Sequence, residues 1–474
     1  MPVNRKQQVL AKVETSEGVS SSPGASDAIL VFDPSLADSV DVLDRVPAGP
    51  TLSRDFAPVG RQTRQITFKS DLRGSGDTSI PITEPDWGML AKACGYKTAT
   101  LQKVTLGAVT GTGFQPGEIV SQSAGSIRAV VVAVLRTGAF VQRGTASGDI
   151  LVVAKIVGTL TAAATTGESS ASSSTASAVA AMEGVGYQPT SEKLINIVTS
   201  GAWSGAAPAA LGEVLKVENP AGTQVGAVQI IVNNSGFTDV DVTLLFGTIA
   251  NGNTLRSAGG GTQTIGTGPT QTKTPSLTIR HNLDGRQRDL LGARGDFTVE
   301  GEVGQPLQFS WTFSGDIGTT VDAPAVATSG LSTIRPPRLM GAFCLYGLGA
   351  EVFRITTKRV SFANGGSVNP NLDANRTGGA TGSNITDRDP AFTISVDQTH
   401  SAFDWEAARN NGTTVRAAFL LGTAAGNMIA LVAPICQVTE VTQGDADGIA
   451  TFDVTLRPRR VLEAGDDEVF LVQV

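Results

Sequence analysis

The sequence predicts a mainly β protein: strand patterns of period two recur along the chain, helical signals are few, and glycine is abundant while charge is sparse. Gln65-Ile66-Thr67-Phe68-Lys69, Gln308-Phe309-Ser310-Trp311-Thr312-Phe313 and Thr451-Phe452-Asp453-Val454-Thr455-Leu456-Arg457 each alternate polar and apolar residues. Such alternation places one face of a strand on a core and the other in solvent or against a neighbour. The 474 residues include 55 glycines, and Asp, Glu, Lys and Arg make up 17%, against about 25% in an average protein. Hydrophobic residues at 41% suffice for real cores.

Two short helices are expected. Asp86 to Gly95 begins with an acidic turn and stops at glycine; Phe403 to Arg409 ends in Asn410-Asn411-Gly412. Trp87 and Trp405 stand at matching places in these helices and are expected to pack them on a sheet. Residues 102–182 are rich in Ala, Ser, Thr, Val and Gly, and Gly117-Glu118 and Gly167-Glu168 mark a weak two-unit β repeat within them. Residues 192–272 form a second β-rich stretch, with strands at Val228–Val232 and Val240–Phe246 and a flexible tail expected at Ser257–Thr262.

With both stretches set aside, one order of elements occurs twice. A long loop rich in Gly, Pro, Asn and Asp (33–53, then 364–386) leads to Arg54-Asp55 or Arg388-Asp389, and a strand follows. An Asp-Trp helix comes next, then Thr278-Ile279-Arg280 or Thr414-Val415-Arg416, then a pair of strands. This order implies tandem duplication of one β domain. Both loops far exceed the ordinary connection of about 4–6 residues; they are expected to be poorly ordered in the free subunit and to serve as stacking elements.

Several segments resemble tail tube proteins of long-tailed, sheathless bacteriophages (siphophages). They are Ala28–Ser35, Ser53-Arg54-Asp55, Asp86–Gly95, Tyr187–Ser191, Asp284-Gly285, Leu291–Gly295 and Thr386–Pro390. The resemblance covers 1–101, 183–191 and 273–474 and leaves out the two β-rich stretches. It implies a tail-tube-type β-sandwich or barrel, tandemly duplicated, with short flanking helices and two β-rich inserted domains. The first tube domain then comprises 1–101, 183–191 and 273–330, and the second 331–474. The insertions, 102–182 and 192–272, are expected on the outside and dispensable for polymerisation. The resemblance further implies stacked rings forming a conduit for DNA, trimeric and pseudo-hexameric or hexameric. The tape measure protein and genomic DNA would pass through the lumen, with tail terminator and distal tail proteins at the ends. The protein would belong to the virion after synthesis in the host cytoplasm.

The chemistry looked for in the sequence is thin, and no catalytic, cofactor-binding or metal site is expected. His281 and His400 are the two histidines and are expected on the surface or in loops; supply alone argues against a histidine triad or zinc site. Cys94, Cys344 and Cys436 are odd in number and far apart, so they form no disulfide framework and no CxxC clip. Asp445-Ala446-Asp447-Gly448 lacks the later ligands of a calcium loop and reads as a hairpin turn. Gly111 to Gly117 lacks the strand–glycine–helix setting of a phosphate loop, and Arg294-Gly295-Asp296 reads as a chance match to an adhesion tripeptide. The net charge of −7 argues against a surface that grips nucleic acid. No apolar run reaches the ~18 residues of a membrane helix, and no membrane partner is expected. The polar start of the chain lacks the apolar stretch of a secretion signal. Three alternatives stay open: a terminator, connector or baseplate ring protein of the same fold, a modular β surface or carbohydrate-binding protein, and an enzyme with paired carboxylates.

Overall fold

Alternating sequence becomes paired strand in the computed structural model. It describes residues 6–14, 17–43, 56–77, 83–99, 101–158, 160–181, 185–190, 194–200, 202–206, 213–235, 237, 239–247, 249–271, 274–328, 331–398, 403–446, 448–462 and 465–474. Two units are distinct, one of 1–189 with 275–474 and one of 190–274.

The first unit carries the same run of elements twice. In the first domain these are β1 (Gln7–Val13), β2 (Phe32–Val42), β3 (Val59–Asp71), α1 (Gly88–Ala93), β4 (Leu277–Leu283), β5 (Arg286–Glu302) and β6 (Gln308–Asp322). The second begins with β7 (Phe343–Leu348) and β8 (Thr357–Ala363), adds a hairpin of β9 (Gly366–Leu372) and β10 (Ala380–Arg388), and continues with β11 (Ala391–Asp397). It ends with α2 (Trp405–Asn410), β12 (Thr414–Leu421), β13 (Ile429–Ala446), β14 (Ile449–Pro458) and β15 (Phe470–Gln473). Pairing is antiparallel throughout, in the order β1-β4-β5-β6-β3-β2 in one domain and β7-β12-β13-β14-β11-β8 in the other.

Each domain buries the apolar half of its alternating strands. Phe309, Trp311 and Phe313 of β6 stack in series, with ring centroids 4.5 Å and 6.0 Å apart. Trp87 lies 5.3 Å from Phe309 and is 1% exposed, and its indole donates to the Arg73 carbonyl at 2.7 Å. Trp405 sits at 90° to Tyr346, with centroids 5.5 Å apart. Both tryptophans therefore hold helix to sheet, as expected of them. Local chemistry sets the helix ends. Asp404 accepts from the Ala407 amide as N-cap, and Gly95 and Gly412 take positive φ just past the last turns. Gly88 admits no side chain, since a Cβ there would stand 1.8 Å from the Tyr187 hydroxyl.

The two long segments differ from expectation. Most of 364–386 is the β9–β10 hairpin, packed over β5 and β6. Of 33–53, residues up to Val42 belong to strand β2, and 44–53 lie outside the described residues, as does Ser53-Arg54-Asp55. The polar composition that suggested open loops is that of strands with little core contact. Ser257–Gly261 is likewise no tail. It turns tightly between strands Thr254–Arg256 and Thr262–Gln271, and the Ser257 hydroxyl donates to the Ala206 carbonyl at 2.7 Å.

Residues 101–181 form a separate seven-stranded sheet. One face has its own core, including Val104, Leu106, Phe114, Val131 and Leu151. The other face, with Val130, Val132, Phe140 and Val152, shares a core with Leu345, Leu420, Val432 and Phe470 of the second tandem domain. The run Ala129 to Leu135, buried at every position, carries this signal in the sequence, because a strand apolar on both sides must be covered on both. The return segment, assigned by sequence to the first domain, contributes strand Val185–Pro189. It pairs with Tyr96–Ala99 on one side and with β15 of the second domain on the other. In the second unit six strands between Leu194 and Gln271 close a barrel around Ile197, Leu215, Val217, Val228, Val240, Val242, Leu255 and Ile265.

The shared core sets the insertions apart. Removing 104–181 should lower the urea midpoint of the remaining chain markedly, because it uncovers the apolar side of β12 and β13. Residues 190–274 expressed alone should show a strand-rich circular dichroism spectrum and cooperative unfolding.

Candidate functional site

The structural feature that sequence reasoning did not locate is the junction between the two tandem domains. The C-terminal half of β5 extends beyond β4, and β8 of the second domain occupies the vacated edge, pairing Thr298 with Ala363, Val299 with Phe362, Glu300 with Ser361 and Gly301 with Val360. Arg359 crosses to Glu300 at 3.2 Å on the exposed side. On the buried side the aromatic rings run through without a break, from Phe297 to Phe362 at 6.0 Å, to Phe392 at 4.7 Å and to Phe419 at 5.5 Å. One hydrophobic core thus serves both domains.

Polar clamps close the junction from above. Arg294, 2% exposed, pairs with Glu17 at 2.8 Å and donates to the Ser383 carbonyl and the Asn384 side chain, so that β5 holds β10. The strands cross where neither carries a side chain: a Cβ on Gly382 would stand 2.8 Å from the Gly292 Cα. Asp296 accepts from Asn364 at 2.7 Å, and burial raises its carboxyl above the ordinary range against the pull of those bonds. Arg388 at the end of β10 bridges Asp466 and Glu468. These arginines spend their donors on carboxylates and carbonyls of their own chain, a structural use of charge.

The residues singled out by sequence fall elsewhere and do not come together. His281 is not on the surface: it lies in β4, 5% exposed, because β1 pairs across it and Gln7 meets its Nε2 at 2.9 Å. Desolvation first, then Arg288 and Arg64, lower its pKa to about 4. His400 and Asp447 lie outside the described residues. Asp445 lies near the end of β13 and Gly448 in the turn that leads to β14, and the Gly448 amide donates to Asp445 at 3.0 Å. Arg294 and Asp296 are committed as above and offer no adhesive tripeptide. Gly111, Gly113 and Gly117 take positive φ in a turn between strands. The three cysteines are free thiols, and burial raises Cys94 and Cys436 above the usual thiol range.

Among the described residues no group of three or more His, Cys, Asp and Glu side chains is placed to hold a metal ion, and no helix is long and apolar enough to cross a membrane. A depression of about 650 Å³ beside β1 is lined mainly by apolar side chains such as Val9, Ile29, Val31 and Leu331, with Lys6 and Asp284 at one side. No protein-family model and no curated protein matches the chain.

Two measurements follow from this chemistry. A histidine with a folded pKa near 4 and an unfolded value near 6.5 binds its proton more readily in the unfolded chain. Its contribution therefore favours folding above the unfolded value and is lost as pH falls from 6.5 to 4. His281→Gln should flatten the pH dependence of the urea midpoint in that window. Arg294→Met removes the guanidinium that bonds Glu17 and the Ser383 carbonyl and should cost about 3 kcal/mol, as for breaking a buried pair, whereas Arg359→Met on the exposed side should cost below about 1 kcal/mol.

Proposed function

We propose that the protein is a structural subunit of the tail tube of a long-tailed, sheathless bacteriophage, built into stacked rings around a channel for DNA. The observation that carries this reading is the internal duplication: one six-strand sheet order occurs twice, side by side in a continuous sheet, in a chain whose motifs resemble tube proteins. A ring needs a head-to-tail contact that repeats until it closes. The β5–β8 junction is such a contact, made once inside the chain. Two domains per chain then give three chains to a ring, with true three-fold and approximate six-fold symmetry.

The surface chemistry agrees with a conduit. At a net charge of −7 the chain does not favour holding phosphate, so DNA can pass without being retained. The inserted sheet of 101–181 and the barrel of 190–274 are assigned to the outside of the tube. The tape measure protein would occupy the lumen during assembly, and terminator and distal tail proteins would close the ends. The virion would be the site of function.

Electron cryomicroscopy of the purified protein at rising concentration, and of virions carrying it, tests the reading. The expected result is a hollow tube with three chains and six similar domains per ring. Six identical chains per ring, or residues 331–474 lying wholly outside the wall, would overturn the stoichiometry, and the absence of any ring or tube would overturn the function.

A further inference from the structure

The β5–β8 junction joins the C-terminal half of one strand to the outer edge of another, and the chain possesses each of those edges a second time. The counterpart of β8 is β2, which pairs with β3 as β8 pairs with β11. The counterpart of β5 is β13, which pairs with β14 as β5 pairs with β6. In the first case the edges meet within the chain. In the second, no strand among the described residues pairs with the outer edge of β2 or, on the side away from β14, with the β13 edge beyond Val441, whose carbonyl accepts from Arg409 at 3.4 Å. Residues 35–39 are exposed apart from the half-buried Leu36, and Thr442, Gln443 and Asp445 are exposed, whereas Val299, Val360 and Phe362 at the internal junction are buried.

The duplication fixes a register. Phe392, Ile394 and Val396 of β11 occupy the buried positions of Ile66, Phe68 and Ser70 in β3, and the strands end on Asp397 and Asp71. Ala363 faces Ala391, whose counterpart Gln65 faces Ala37, so Ala37 corresponds to Ala363. Thr298 faces Ser310 opposite Lys69, and Thr442 faces Asp453 opposite Ser395, the counterpart of Lys69, so Thr442 corresponds to Thr298. Within the chain Thr298 faces Ala363. The same residue types, alanine and threonine, therefore recur at the matching places on the two open edges.

We propose that copies of this chain join head to tail by antiparallel pairing of β2 with the end of β13 in the next copy, Ala37 opposite the neighbour's Thr442. The pairing extends the sheet from chain to chain as β5 and β8 extend it within the chain, and it removes two open edges that would otherwise recruit other strands. Val40 and Val42 at the end of β2, Leu43 just after it and Val59 at the start of β3 are exposed, apolar surface suited to lie over the neighbour's β13 and β14 as β10 lies over β5 and β6.

The proposal rests on the ring reading above and names the surface that forms it. Ala37→Cys and Thr442→Cys are introduced together and singly in the full chain, both at exposed positions, and mild oxidation is followed by non-reducing electrophoresis. The double variant is expected to run mainly as cross-linked dimers and trimers, with neither single variant doing so. Val40→Cys with Thr442→Cys, three residues out of register and beyond the ~7 Å Cα reach of a disulfide, is expected to stay uncross-linked. Equal cross-linking of that control overturns the register. Rings or tubes seen by electron microscopy without a 37–442 cross-link overturn the strand pairing and leave the ring reading standing. A chain that sediments as a monomer at every concentration and gives no cross-link overturns both.

Discussion

The antiparallel pairing of β5 with β8 is the contact on which the rest of the tandem unit depends. Without it each domain would expose a ladder of peptide groups and the flank of its aromatic core. With it, Phe297, Phe362 and Phe392 form one uninterrupted row, and the two domains share a single apolar interior. Backbone hydrogen bonds give the contact direction and register, while burial of the rings supplies most of its free energy, at about 25 cal/mol per Å² of apolar surface removed from water. A joint of this kind is stiff, because shifting the register by one residue would turn every buried side chain outward.

Around that joint, charge is used to hold parts in place. Arg294 and Arg388 sit where strands cross and end, each satisfied by carboxylates or carbonyls from distant segments. Arg64 is similar: it is buried, pairs with Asp38 of β2 at 2.6 Å and donates to the Asp289 carbonyl at 2.8 Å, and this holds the Asp38 carboxyl below its usual range. A buried guanidinium is costly to transfer and worth keeping only with all its partners present. Such groups therefore favour one geometry of the strands over near alternatives.

The inserted elements follow two designs. The 190–274 barrel closes on itself around a core that includes Ile197, Leu215, Val228 and Val242, and its sheet has no free edges. The 101–181 sheet instead lends one apolar face to the second tandem domain, and Arg416 of β12 reaches into it to donate to Gln115 at 2.8 Å. Burial lowers the pKa of that guanidinium, as expected of a cation held away from water. The second domain is thereby covered on a side that would otherwise face solvent.

What the sequence by itself determined was local. Alternation at Gln65–Lys69, Gln308–Phe313 and Thr451–Arg457 specified strands, Asp404 and the glycines after each helix specified the ends of α2 and α1, and the repeated order of elements exposed the duplication. These features depend on neighbours a few residues apart. Tertiary structure alone decided the burial of His281, whose partner Gln7 lies far away in the chain, and the conversion of the 364–386 segment into a hairpin. It also decided the docking of Val130 and Val132 on Leu420 and Val432, and the pairing of Val185–Pro189 with β15. The reason is physical: periodicity reports which face of a strand avoids water, but any apolar face of matching shape can satisfy it. The choice among faces is made only when the whole chain packs.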